Sequence, residues 1–109
     1  MKKVLFLLPL LAVLLTSMRG DCITKDGYFR GKRLCGKVKV VDSFADFKVK
    51  VVTSFPDLKV KAVNSFADDP GEWEFVENFP DFTIEYVENF PDFEIEFVNS
   101  FPGVADPCR

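Results

Sequence analysis

From Lys37 onward, apolar and charged residues alternate in short runs that are separated by turn-forming residues. Lys48-Val49-Lys50-Val51 and Glu94-Ile95-Glu96-Phe97 are two of these runs. Alternation with a period of two, carried by β-branched and aromatic residues, is typical of short strands with one buried face. A segment such as Thr53-Ser54-Phe55-Pro56-Asp57 follows each run, and its proline would end a helix. The pattern predicts an all-β fold.

The run and its turn recur six times as an eleven-residue unit. The units begin at Lys37, Lys48 and Lys59 in an early trio, and at Glu72, Thr83 and Glu94 in a late trio. The step is eleven residues within each trio but thirteen between the trios, where the turn at residues 68–71 is longer. An internal repeat is stronger evidence for a fold than local propensity. We number the positions of each unit from one to eleven.

Two turn positions attract attention because they recur. Phenylalanine occupies position eight in all six units, and we expect it to anchor the core because burying an aromatic ring is favourable. These residues are Phe44, Phe55, Phe66, Phe79, Phe90 and Phe101. Aspartate occupies position ten in five units: Asp46, Asp57, Asp68, Asp81 and Asp92. A calcium loop clusters several oxygen ligands, whereas each turn here usually has one, so we expect turn capping instead.

The two trios carry opposite charges. Residues 21–63 have a net charge of +5, and residues 64–109 have a net charge of −11. Positions one and three are lysine in the early trio, and are glutamate in the late trio except at Thr83. Units stacked in sequence order would place like charges about 4.8 Å apart, which is destabilising. We therefore expect early strands to pair with late strands, in two interleaved laps that join at residues 68–71.

Side-chain size at position four fits the same arrangement. The early trio has small residues there, and the late trio has aromatic ones: Val40, Val51 and Ala62 against Phe75, Tyr86 and Phe97. Position two follows the same rule, with Val38, Val49 and Val60 against Trp73, Ile84 and Ile95. We expect these small and large side chains to pack together in the core, which must be dense.

Residues 1–20 are predicted to form a secretory signal, with Lys2 and Lys3 before an apolar run from Val4 to Leu15. An uncleaved anchor is the alternative, but the run is short for a membrane span, which needs about 20 residues. The mature protein would then be secreted or periplasmic. Residues 21–109 are predicted to form one domain, with an irregular segment 21–36, a basic lap 37–69, an acidic lap 72–103 and a tail 104–109.

Three cysteines remain after signal removal, and an exported protein meets an oxidising environment. We expect a disulfide between Cys22 and Cys35, which would fix the irregular segment and leave Cys108 free. The competing pair, Cys22 with Cys108, would join the two ends of the domain.

The composition argues against catalysis. The chain has no histidine, the usual general acid–base group, and it has no glycine-rich phosphate loop or metal-ligand cluster. We therefore predict a non-enzymatic protein without cofactor or metal. Signal removal would change the net charge from −3 to −6, which disfavours nucleic acid. We also expect a monomer that does not bind membranes after cleavage, and an envelope protein is the possible partner.

Two functional hypotheses remain. The first is an exported structural or interaction domain that resists unfolding and proteolysis, because interleaved laps offer no free strand edge or long loop. The second is a binding or inhibitory protein that uses the basic segment 25–37, since loops carry function more often than scaffolds do. The binding surface would comprise Tyr28, Phe29, Arg30, Lys32 and Arg33. A purely structural role for that segment is the alternative.

Three features together resemble the septoil-knot domain family. They are the repeats at 47–57 and 82–92, the step Gly71-Glu72-Trp73-Glu74-Phe75, and the segment Cys22-Ile23-Thr24-Lys25-Asp26-Gly27-Tyr28-Phe29-Arg30. The resemblance covers roughly residues 22–103. It implies a compact all-β domain whose backbone forms a seven-crossing torus knot that winds twice around a ring. It implies no activity for any residue.

Overall fold

A computed structural model describes residues 21–108. The predicted signal, residues 1–20, lies outside the described residues. The described part of the chain contains nine strands: β1 (Tyr28–Phe29), β2 (Lys32–Arg33), β3 (Gly36–Val40), β4 (Phe47–Val51), β5 (Leu58–Ala62), β6 (Glu72–Phe75), β7 (Phe82–Tyr86), β8 (Phe93–Phe97) and β9 (Gly103–Val104). No helix occurs within residues 21–108, so the predicted all-β class is confirmed.

Six parallel strands, β3 to β8, close into a ring. The order around the ring is β6, β3, β7, β4, β8, β5, and β5 pairs with β6 to complete it. Every early strand therefore lies between two late strands, as the charge pattern predicts. The short β9 runs antiparallel to β5 at Leu58 and Lys59, which β6 does not reach.

The chain fills this ring in two laps. Most connections skip one place, so β3 leads to β4 past β7, and β6 leads to β7 past β3. The connection from β5 to β6 instead moves to the adjacent place. If the connection from β5 also skipped one place, it would return the chain to the place that β3 already occupies. This move to the adjacent place, which the chain makes within the thirteen-residue interval, directs the second lap into the gaps left by the first.

Glycine is required where the laps join. Gly71 has a φ of 89°, and a Cβ atom there would overlap the carbonyl oxygen of Lys59. Only glycine permits both the positive φ and this close approach of two backbones.

The strand register places opposite charges side by side. Each lysine of the early strands faces a different residue of the late strands: Lys37 faces Glu74, Lys39 faces Thr83, Lys48 faces Glu85, Lys50 faces Glu94, Lys59 faces Glu96 and Lys61 faces Glu72. The close ion pairs within residues 21–108 involve Arg30 and Arg33 instead. The lysine–acid pairs therefore act through screened attraction, which favours this register without adding much stability.

Positions two and eleven fill the inside of the ring. Position two supplies six side chains that are fully buried: Val38, Val49, Val60, Trp73, Ile84 and Ile95. Position eleven adds Phe47, Leu58, Phe82 and Phe93 at one end. The indole Nε1–H of Trp73 donates to the carbonyl oxygen of Leu34 at 3.0 Å, so the one polar atom of this side chain is satisfied.

The predicted packing of small against large side chains is confirmed at position two, but position four is not buried in this core, so the prediction is wrong there. These side chains share the inward face, but they lie at the carboxyl ends of the strands, where the ring opens. They are exposed there: Val40, Val51, Ala62, Phe75, Tyr86 and Phe97. Partial burial nevertheless raises the pKa of the Tyr86 hydroxyl.

The irregular segment closes the opposite end of the ring. β1 and β2 form a hairpin whose tip, Arg30-Gly31, has positive φ at both residues, as a type I′ turn requires. The Phe29 ring is buried, with its centroid 5.5 Å from that of Phe47 and 5.1 Å from that of Phe93. The hairpin thus places the Phe29 side chain among the position-eleven side chains.

A disulfide joins Cys22 to Cys108, with the Cα atoms 5.3 Å apart. The prediction of a Cys22–Cys35 bridge is therefore wrong, and the competing pair is the one formed. The tail returns to the irregular segment, where the Cys108 N–H donates to the carbonyl oxygen of Ile23 at 2.7 Å. Cys35 follows the buried Leu34 at the start of the ring, and its thiol is free.

Candidate interaction surface

The six turns share one backbone conformation at position eight. The phenylalanine there has a φ between 53° and 57° in every turn. This left-handed region costs a residue with a Cβ atom about 1 kcal/mol, and it normally favours glycine or asparagine. Phenylalanine is therefore not explained by the backbone at any of the six places.

These six phenylalanines are also exposed. These residues retain 84% to 100% of their accessible surface, so the prediction that they anchor the core is wrong. Position eight lies in the middle of a turn, outside the alternation that directs positions two and eleven inward. Because the strands close into a ring, the turns place the six phenylalanine side chains around its periphery. We call the six residues, Phe44, Phe55, Phe66, Phe79, Phe90 and Phe101, the peripheral phenylalanines.

The exposed phenylalanine at position eight varies less between the six units than the buried residues of the core do. Only valine at position five and phenylalanine at position eight are identical in all six units. The fully buried position two changes between valine, isoleucine and tryptophan. Single exposed apolar residues are common in proteins, but an exposed ring at every equivalent turn indicates an interaction surface.

The charge around the peripheral phenylalanines has one sign. The turns at residues 42–46, 53–57, 64–71, 77–81, 88–92 and 99–102 contain nine acidic residues and no basic residue. All described basic residues lie instead in strands β2 to β5, in the hairpin tip or at Lys25. The periphery therefore combines aromatic rings with negative charge.

The position-ten aspartates link the two laps. Four of them accept a hydrogen bond from the position-one N–H of a neighbouring strand: Asp46 from Thr83, Asp57 from Glu94, Asp81 from Lys37 and Asp92 from Lys48, at 2.7 to 2.9 Å. The aspartates therefore cap backbone groups, as expected, but the capped groups lie in the other lap and not in their own turn. Within residues 21–108, no three potential metal ligands cluster.

Thr83 interrupts the glutamate pattern for a local reason. Its hydroxyl oxygen accepts a hydrogen bond from the Asp46 N–H at 2.9 Å, while its own N–H donates to the Asp46 carboxylate. A glutamate side chain is too long to form this compact reciprocal pair.

The five residues of the predicted binding surface lie in different environments in the structure. Phe29 belongs to the core, so its assignment to a surface is wrong. Tyr28 and Lys32 are exposed. Arg30 contacts Asp21 at 2.7 Å and Asp92 at 3.0 Å, and its hydrogen bond to Asp21 raises the pKa of its guanidinium. Arg33 donates to the carbonyl oxygen of Asp68 at 2.8 Å, so both arginines fasten the hairpin to the ring.

The sequence contains a signal that the peripheral phenylalanines point away from the buried face of the strands. Serine or asparagine precedes each ring, and proline follows it in four of the six units. These neighbours place position eight within the turn and out of phase with the buried face of the strand.

The fold defines a class of protein: an all-β domain whose strands close into a ring through two interleaved laps. Comparison with protein families gives the same result, since the sequence model of the 7(1) septoil knot domain matches residues 31–105. The chain belongs to this family. No curated protein matches it in sequence. No helix within residues 21–108 is long and apolar enough to span a membrane.

Proposed function

We propose that this protein is an exported, non-enzymatic structural and interaction domain that resists unfolding and proteolysis. Resistance is supported by the closed ring, in which each of the strands β3 to β8 has a neighbour on both sides. No long open edge is left for pairing with another chain or for a protease to bind as a strand. The Cys22–Cys108 bond also ties the two ends of the domain together.

Limited proteolysis tests the resistance. The oxidised domain is incubated with a protease of broad specificity, beside an unknotted all-β domain of similar size and matched thermal stability. We expect cleavage of the ring to be much slower than cleavage of the reference domain. Equal cleavage rates would remove the support for resistance.

Export is supported by the residues before the domain and by the disulfide. The apolar run after Lys2 and Lys3 has the length of the hydrophobic region of a signal peptide, and disulfides persist mainly in oxidising compartments. Mass spectrometry of the protein from fractionated cells tests this part. We expect an N-terminus near Asp21 in the envelope or the medium, and an intact chain in the cytoplasmic fraction would contradict export.

The absence of enzymatic activity is proposed because the most regular polar groups already have structural partners. Four position-ten aspartates bind strand N–H groups, and the paired acidic positions of the late strands face lysines. The chain also has no histidine to act as a general base near neutral pH.

The peripheral phenylalanines carry the interaction part of the proposal. Exposed rings in turns that contain acidic residues and no basic residue fit a partner that combines apolar side chains with lysine or arginine, since aromatic faces and carboxylates both attract cations. The proposed partner is therefore an envelope protein with a basic, partly apolar segment. Binding would be multivalent, because the rings are spread around the whole periphery.

A synthetic peptide with alternating lysine and leucine provides a defined probe. We expect it to shift the NMR signals of the turn amides, and we expect salt to weaken its binding. A glutamate–leucine peptide and a lysine–serine peptide are the controls for charge and for apolar contact. Changing all six peripheral phenylalanines to serine should abolish binding and leave thermal unfolding unchanged. Equal binding to that variant, or equal binding of either control peptide, would contradict the proposal.

The basic segment 25–37 is the alternative binding site, favoured by the exposed Tyr28 and Lys32. The triple variant with Arg30, Lys32 and Arg33 changed to serine distinguishes the two surfaces. If an envelope protein is retained by the native domain and by the phenylalanine variant, but is lost with the triple variant, the basic segment is the binding surface.

A further inference from the structure

We infer that the Cys22–Cys108 disulfide closes the septoil knot that defines this family, so that the oxidised chain can neither tie nor untie it. The two cysteines are 86 residues apart in sequence, and every strand from β1 to β9 lies between them. The bond therefore converts almost the whole domain into one covalent loop. This inference concerns how the fold is reached and kept, and it is independent of any partner.

The position of the bond determines its effect. The Cα atoms of the two cysteines are 5.3 Å apart, and the Cys108 N–H donates directly to the carbonyl oxygen of Ile23. No strand passes between the two cysteines, because their Cα atoms are so close together. The closure therefore adds no crossing, and the loop has the knot of the two-lap chain.

The consequence is topological. An open chain loses its knot when one end withdraws through the ring, whereas a closed loop keeps its knot until a covalent bond breaks. An oxidised chain that has folded therefore remains knotted even when denaturant removes all of its structure. A chain that is oxidised before threading becomes an unknotted loop that cannot reach the native strand order. Threading must come first and oxidation second.

The alternative bond would not have this effect. Cys22 and Cys35 are only thirteen residues apart, and a bridge between them would enclose the hairpin but none of the ring strands. The last strands would stay free to thread. Pairing with Cys108, and not disulfide formation as such, is what closes the knot.

The oxidation itself is ordinary thiol–disulfide exchange. The thiolate of one cysteine attacks a small disulfide, such as oxidised glutathione, and releases one glutathione thiolate. The thiolate of the other cysteine then displaces the second glutathione. Two protein thiols are oxidised to one disulfide, and one glutathione disulfide is reduced to two thiols.

The test compares two samples that have the same covalent structure but different histories. Both carry Cys35→Ser, so that Cys22 and Cys108 are the only pair that can form. The first sample is expressed, folded, oxidised and then unfolded in guanidinium chloride. The second is made by chemical synthesis and oxidised in guanidinium chloride before it has ever folded. Both are then diluted, and the fluorescence of the single tryptophan, Trp73, reports burial in the core.

We expect the first sample to recover native fluorescence completely, at a rate that does not depend on the time spent in denaturant. We expect the second sample to show no recovery until a reductant opens the loop, after which it should fold slowly. Full recovery of both samples would overturn the inference, because an unknotted loop would then reach the native state. Failure of both would overturn it as well, since a loop that is already knotted has nothing to thread.

Discussion

The main-chain N–H of Lys48 donates to the carboxylate of Asp92 at 2.7 Å, although the residues are 44 positions apart in the chain. Lys48 is the second residue of the early strand β4, and Asp92 ends the turn before the late strand β8. The same contact recurs at Lys37 with Asp81, and in the opposite sense at Glu94 with Asp57. The regular aspartates thus bind one lap to the other at the amino ends of the strands.

Removal of one of these contacts should destabilise the domain. Asp57→Ala leaves the partly buried N–H of Glu94 without its acceptor, and we expect the free energy of unfolding to fall by about 1–3 kcal/mol. Denaturant unfolding followed by Trp73 fluorescence measures the change. Asp42→Ala is the matched control, because Asp42 is exposed and has no hydrogen bond to another residue of the described chain. An equal loss in both variants would contradict the lap-to-lap contact.

The core and peripheral phenylalanines should respond oppositely to substitution. Phe47→Ala removes a buried ring, and we expect it to cost about 3–5 kcal/mol of stability. Phe55→Asn should leave stability unchanged or raise it by up to about 1 kcal/mol, because asparagine tolerates a positive φ better than phenylalanine does. A large loss with Phe55→Asn would mean that the peripheral rings stabilise the fold.

The charge register should appear in a double-mutant cycle at Lys48 and Glu85, which face each other across β4 and β7. Each single reversal, Lys48→Glu or Glu85→Lys, places like charges side by side and should cost up to about 1 kcal/mol at low salt. The double reversal should recover most of this loss, and high salt should weaken the coupling. Additive losses in the double variant would show that the two side chains do not interact.

The free thiol should react slowly. Burial raises the pKa of the Cys35 thiol, since the charged thiolate is less well solvated there, although the nearby Arg33 opposes this effect. At neutral pH we expect iodoacetamide to modify native Cys35 more slowly than the same residue in guanidinium chloride. The native rate should rise with pH and reach its plateau at a higher pH than the rate of the unfolded protein does. Identical rates in the native and unfolded protein would contradict this burial.

Much of the fold follows from two regularities of the sequence. Alternation at residues such as Val49 and Ile95 defines the strands, and the exchange of lysine for glutamate at matched positions defines their neighbours. The thirteen-residue step then marks the place where the laps join. These signals are local or periodic, so they can be read without knowledge of the tertiary contacts.

The remaining features depend on contacts that no short segment encodes. The phase of Phe55 relative to its strand depends on the turn conformation, whereas its aromatic character alone favours a buried position. The bond from Cys22 to Cys108 depends on where the tail returns after two laps. The buried position of Phe29 likewise depends on an opening in the ring that exists only after the strands have closed.

The alternation of early and late strands is tested most directly by NMR, through the amide-to-amide nuclear Overhauser effects of β4 in the oxidised protein. The two-lap ring predicts cross-strand effects from β4 to β7 and to β8, with Lys48 close to Glu85 and Lys50 close to Glu94. It predicts none from β4 to β3 or to β5. Cross-strand effects that join β3, β4 and β5 in sequence order would contradict the interleaved laps.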